Sequence, residues 1–161
     1  MPVIEQLLKE SKDELSFTFK RGENLEQKSS KIPNSPGIML VFCKKTSIVF
    51  DEDLEYKIKG EDYILCYYGM SSGFGDNQGL KKYITNVTTG DILREKKWKD
   101  FMDKNNIDEL LVHCILLNNP KETKNKITNS LYRITRKPNM IKDKKQKVKP
   151  LMNQNRFKPQ K

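Results

Sequence analysis

The sequence predicts an α+β domain: a small antiparallel three-stranded sheet flanked by helices, followed by a basic, extended C-terminal arm. Three observations carry this reading. Three apolar runs of strand length, residues 37–43, 63–68 and 110–117, are separated by segments whose apolar residues fall at helical spacing. Glycine and proline punctuate the joins between them. Charge is concentrated at one end: residues 137–161 hold eight Lys, one Arg and one Asp, so they carry +8 of the chain's +10.

In order, Val3, Ile4, Leu7 and Leu8 mark an amphipathic helix over residues 2–14, with Pro2 suited to its first turn. Such a helix caps the core or docks on a partner. Residues 20–35 are polar without a period and read as a connecting loop. Residues 37–43 form the first core strand. Residues 44–62 then read as a solvated excursion. Its carboxylates Asp51, Glu52, Asp53 and Glu55 lack the glycine and later glutamate of a calcium loop.

Residues 63–68 form the second strand. The loop after it holds Gly69, Gly73, Gly75 and Gly79, and Leu80, Tyr83, Ile84 and Val87 suggest a short helix over 79–86. A strand, a permissive loop and a helix start can bring backbone N–H groups close to a phosphate. The loop is not a nucleotide-binding phosphate loop, which requires Lys-Ser or Lys-Thr after its last glycine. Trp98, Phe101 and Met102 mark a second short helix facing the core. Residues 110–117, LLVHCILL, form the third strand, in which His113 shares a face with Leu111 and Ile115. A packed core or edge histidine is its ordinary role; catalysis is the alternative. Asn119, Pro120 and Glu122 open a last helix, whose buried stripe of Ile127, Leu131 and Ile134 runs to about Arg136. Beyond Pro138 the chain reads as an extended or disordered arm.

Three cysteines, Cys43, Cys66 and Cys114, stand in the predicted strands without metal-ligand spacing and read as reduced core thiols of an intracellular protein. With one histidine, a zinc site is not expected. The first residues lack the long apolar run of a signal peptide or membrane span. The expected setting is therefore cytoplasm, nucleus or a virus particle, with no membrane partner.

Gly37-Ile38-Met39 and Tyr67-Tyr68-Gly69, each on an apolar strand, resemble the two signatures of the GIY-YIG endonuclease family. Leu80-Lys81-Lys82-Tyr83-Ile84 resembles the helix that brings that family's arginine, and Asn129-Ser130-Leu131-Tyr132-Arg133 the helix that brings its metal-binding glutamate. The resemblance covers roughly residues 32–139. It implies a nuclease-like domain over 32–136, after an N-terminal helix and linker (1–31) and before the tail (137–161). At the positions of the family's tyrosines, arginine and glutamate stand Met39, Tyr67, Tyr83 and Asn129, so only Tyr67 keeps the family's residue. The resemblance thus implies a fold without its chemistry. Asn129 offers a neutral oxygen where magnesium would need a carboxylate. Glu122, seven residues earlier, lies roughly 10 Å away along the helix.

The expected function is a nucleic-acid-binding or docking module with no cofactor and no metal. Its phosphate contacts would come from Lys81 and Lys82 beside the old site, and from Lys142, Lys144, Lys145, Lys147, Lys149, Arg156 and Lys158 in the tail. One alternative is a structural or assembly protein, as in a viral particle, with protein partners. The other is a divergent, magnesium-dependent endonuclease.

Overall fold

The computed structural model describes residues 3–44, 54–73, 79–85, 87–88, 91–135, 144–147 and 149–153. Its centre is an antiparallel sheet of five strands: β1 (Ser16–Lys20), β2 (Gly37–Lys44), β3 (Glu55–Ile58), β4 (Glu61–Ser71) and β7 (Glu109–Leu116), in the order β1-β7-β2-β4-β3. Around it lie α1 (Val3–Glu10), α2 (Leu25–Lys28), α3 (Leu80–Ile84), α4 (Leu93–Lys104) and α5 (Pro120–Ser130). Two small hairpins stand apart: β5 (Val87–Thr88) with β6 (Asp91–Ile92), and β8 (Tyr132–Thr135) with β9 (Lys144–Lys147).

The three predicted strands are the three central ones, and β2 is buried from Gly37 to Cys43. The sheet is nevertheless wider than the predicted three strands. The run SFTFK adds β1 at one edge by pairing with β7. EYKI adds β3 at the other, turning back through Lys59 and Gly60, both at positive φ, to pair with the start of β4. Both are short and only half apolar, which is how an edge strand looks. The reading of 44–62 as a solvated excursion is thus corrected for Glu55–Ile58, while Asp51, Glu52 and Asp53 lie outside the described residues. The 20–35 segment also holds one turn of helix, α2, capped by the Asn24 side chain accepting from Gln27 N–H.

The pairing decides which side chains share a face, because cross-strand partners point the same way. Gly37, Met39 and Val41 of β2 sit opposite Ser71, Gly69 and Tyr67 of β4. They also sit opposite Leu116, Cys114 and Val112 of β7. This face is covered by α3 and α4: Leu80 reaches Gly37, and Trp98 packs edge-on against Phe19 at 5.9 Å. The opposite face presents Ile38, Leu40, Tyr68, His113 and Ile115, and is covered by α5 and the end of α1. A β-bulge interrupts the β2–β4 ladder. Val41 pairs with Tyr67 but Phe42 with Leu65, so Cys66 is one residue too many.

The cap at Asn119 forms as expected, with its side chain accepting from Glu122 N–H at 3.3 Å. The helix that follows stops at Ser130, short of Arg136, and the chain continues as β8. The extended arm also needs correcting where it is described. Lys144–Lys147 is a strand paired with β8, and Leu151–Asn153 is a 3-10 turn docked on β4. The Asn153 carboxamide accepts from Tyr68 N–H and donates to Tyr68 C=O, both at 3.0 Å. It occupies the open edge of β4 as a strand backbone would.

Candidate functional site

Tyr67 and Tyr68 are neighbours on β4 and therefore point to opposite faces. The Tyr68 hydroxyl meets Thr128 Oγ1 of α5 at 2.7 Å, and its ring is buried. This tyrosine ties a helix to the sheet. The Tyr67 hydroxyl instead hydrogen-bonds the Tyr83 hydroxyl of α3. Burial pushes the Tyr83 phenol well up from its ordinary value, reinforced by Tyr67 and opposed by the positive charge of Arg94.

Arg94 completes the cluster. It is the second residue of α4, and its Nε donates to the Tyr83 carbonyl at 3.0 Å. Its guanidinium carbon lies 4.2 Å from the Tyr83 ring centroid and 5.4 Å from that of Tyr67. The carboxylate next in sequence is turned elsewhere: Glu95 accepts from Leu25 N–H at 2.6 Å and lies 3.8 Å from Lys99 Nζ. Among the described residues Arg94 has no carboxylate partner. Its fork, which suits the oxygens of a phosphate, is held by one carbonyl and two aromatic rings.

Gly69 is what lets the two phenols meet. A Cβ there would overlap the Tyr83 hydroxyl and stand 2.8 Å from that of Tyr67. Its backbone is ordinary strand; the requirement is for space.

The four positions drawn from the family resemblance fare differently. Tyr67 and Tyr83 come together. Met39 lies on the same face but is wholly buried core. Asn129 is exposed on α5, which packs on the opposite face of the sheet. Lys81 and Lys82 are half-buried residues of α3, next to Tyr83 in sequence. Lys144, Lys145 and Lys147 lie on β9 and Lys149 is exposed, whereas Lys142, Arg156 and Lys158 lie outside the described residues.

The helix start expected to face a phosphate is already occupied. Leu80 N–H donates to Ser35 C=O at 3.0 Å, Lys81 N–H to Pro33 C=O at 3.3 Å, and Lys82 N–H to Asn34 Oδ1 at 3.0 Å. Gly79, at φ +95°, makes this close approach possible, since a Cβ there would sit 2.6 Å from Ser35 N. The backbone N–H groups of this helix start are therefore already committed within the fold.

His113 faces a cleft of about 760 Å³ between α1 and β3, lined also by Ser11, Asp13, Lys57, Lys59 and Asp62. Its Nδ1 is 2.8 Å from both Ser11 Oγ and Ser16 Oγ. Ser16 Oγ also lies 3.2 Å from Lys12 C=O, and the imidazole tautomer sets which groups of this cluster donate. Nε2 is buried without a partner among the described residues. Burial lowers the His113 pKa, with Lys59 adding to the effect and Asp13 opposing it. His113 fixes the end of α1 to β1 and β7, in keeping with its reading as a core histidine.

Compared with family models, curated proteins and solved structures, the chain finds no match. Among the described residues no helix is long and apolar enough to cross a membrane. No three His, Cys, Asp or Glu residues are grouped there to hold a metal ion.

Sequence reasoning missed Arg94. One signal was present: it is the only arginine between Arg21 and Arg133 in a chain that otherwise uses lysine over that stretch.

Proposed function

We propose that this domain binds the phosphates of nucleic acid without cleaving them. In this reading Arg94, steadied by Tyr67 and Tyr83, takes a phosphate, flanked by Lys81 and Lys82. The basic C-terminal segment adds sequence-tolerant contacts along the backbone. The observation that carries it is the half-buried Arg94 fork, oriented by a carbonyl and two rings and paired with no carboxylate among the described residues. Cleavage would need a base or a metal-holding carboxylate beside the phosphate. The nearest carboxylate in sequence, Glu95, is committed to the start of α2. The resemblance of Gly37-Ile38-Met39 and Tyr67-Tyr68-Gly69 to the GIY-YIG signatures is in keeping with a nuclease-derived fold that has lost its chemistry.

Binding to mixed-sequence DNA and RNA at two salt concentrations tests this reading. Affinity should fall with salt with a log–log slope of roughly −4, about half of the nine tail cations engaging at once. Arg94→Gln should weaken low-salt binding about tenfold, the worth of one charge-assisted contact. Neutralising Lys142, Lys144, Lys145 and Lys147 should flatten the slope. This is a cleaner probe than deletion, because Asn153 anchors the tail to β4. Binding that ignores salt, Arg94 and these lysines would reject the reading. The assembly role, which the nearly neutral charge of residues 1–136 favours, would then stand in its place.

A further inference from the structure

Cys43 and Cys66 lie on adjacent strands, β2 and β4, with their sulfur atoms 3.2 Å apart. Both are buried, at 0% and 1% exposure. Cys43 pairs in register with Ile64, and the sulfur of Cys66 comes within reach only because Cys66 is the extra residue of the β-bulge. Cys114, also buried, has no sulfur partner among the described residues. Two of the three thiols are thus matched and the third is not.

We propose that Cys43 and Cys66 are a disulfide-forming pair, and that their oxidation ties β2 to β4 at the bulge beside Tyr67. The sulfurs must close from 3.2 Å to about 2.0 Å, a displacement shared by two side chains on a stretch whose ladder is already interrupted. With a small disulfide such as oxidised glutathione, one cysteine thiolate attacks a glutathione sulfur and expels the other glutathione as thiolate. The second cysteine thiolate then displaces the remaining glutathione. One protein S–S bond forms, one small-molecule S–S bond is lost, and the two cysteine protons pass to the two glutathione thiolates. Burial holds the Cys66 thiol well above its ordinary pKa, which slows attack in the folded state. The bond therefore forms chiefly while β2 and β4 are still coming together.

The test is to refold the full chain in a reduced/oxidised glutathione buffer, trap free thiols by alkylation, and map the peptides. The expected product has Cys43 linked to Cys66 and Cys114 alkylated, and its mass is that of the reduced protein plus a single alkyl group, less about 2 Da for the two hydrogens lost. Its melting temperature should exceed that of the reduced form by roughly 5–10 °C. Cys114→Ser should leave the linkage intact, and Cys43→Ser should abolish it. The wild-type peptide map decides the matter even where a variant folds poorly. A linkage through Cys114, or three alkylated cysteines in protein refolded under oxidising conditions, would overturn the proposal.

Discussion

The two tyrosines at the end of β4 are adjacent in sequence, yet the sheet sends them into different surroundings. Tyr68 faces α5 and donates to or accepts from a threonine, so that its polar atom is matched by a neutral partner. Tyr67 faces α3 and α4 and shares its hydroxyl with a second phenol beneath a guanidinium. Neutral hydroxyls and His113 pin helices to one face. The other face holds, beside its phenol pair, a cation that no described carboxylate neutralises. One side of the sheet thus meets its helices through neutral groups and the other through a phenol pair beneath a guanidinium, the side that receives the anion under the proposed function.

The sharpest way to break the comparison is at Gly69. Gly69→Ala inserts a methyl group where the two phenols meet and should cost about 2–3 kcal/mol of unfolding free energy by denaturant titration. The same substitution at the exposed Gly22, where a Cβ meets nothing within 4 Å, should change stability by less than about 0.5 kcal/mol. An equal response at both sites would show that the tyrosine pair is not packed as described.

The next effect separates the tyrosines themselves. Tyr68→Phe should cost about 1 kcal/mol of stability and leave DNA binding unchanged, since Thr128 loses its partner on the attachment face. Tyr67→Phe should do the reverse, with a smaller loss of stability and a few-fold weaker DNA binding, as the Tyr83 phenol beneath Arg94 loses its hydrogen-bond partner. Interchanged phenotypes would assign the anion to the wrong side of the sheet.

The smallest effect is a pH dependence on the attachment face. His113 has a folded pKa below its ordinary value of 6.5, so the unfolded chain binds the proton first as pH falls. The neutral imidazole's contribution is complete above pH 6.5 and is lost as pH drops toward the folded pKa. Chemical denaturation at pH 7.5 and 5.5 should show lower stability at the acid pH, and His113→Gln should reduce the difference. A wild-type protein equally stable at both values would contradict the burial of the His113 imidazole.

Much of the sheet was legible because β2, β4 and β7 are apolar on both faces, and only central strands between two helical layers need that pattern. Helix α5 was announced by Asn119, Pro120 and Glu122, whose types match their cap positions. Strands β1 and β3 were not legible. SFTFK and EYKI are too short and too polar to stand out, and their pairing depends on neighbours distant in sequence. Of the candidate site, Tyr67 and Tyr83 were found, but the glycine loop misled. Its helix start looked open because nothing local shows that Pro33, Asn34 and Ser35 return to fill it. Arg94 sits among lysines and acids in LREKKWKD, and only the tertiary fold brings it over two aromatic rings.

The carboxamide of Asn153 has a consequence beyond holding down the end of the chain. Past β3 the margin of β4 would otherwise offer Tyr68 N–H and C=O to any extended peptide, including the same margin of another molecule. One side chain occupies both groups and turns the strand's last stretch into a closed border. Asn153→Ala reopens it, and the expected result is concentration-dependent self-association of otherwise folded protein.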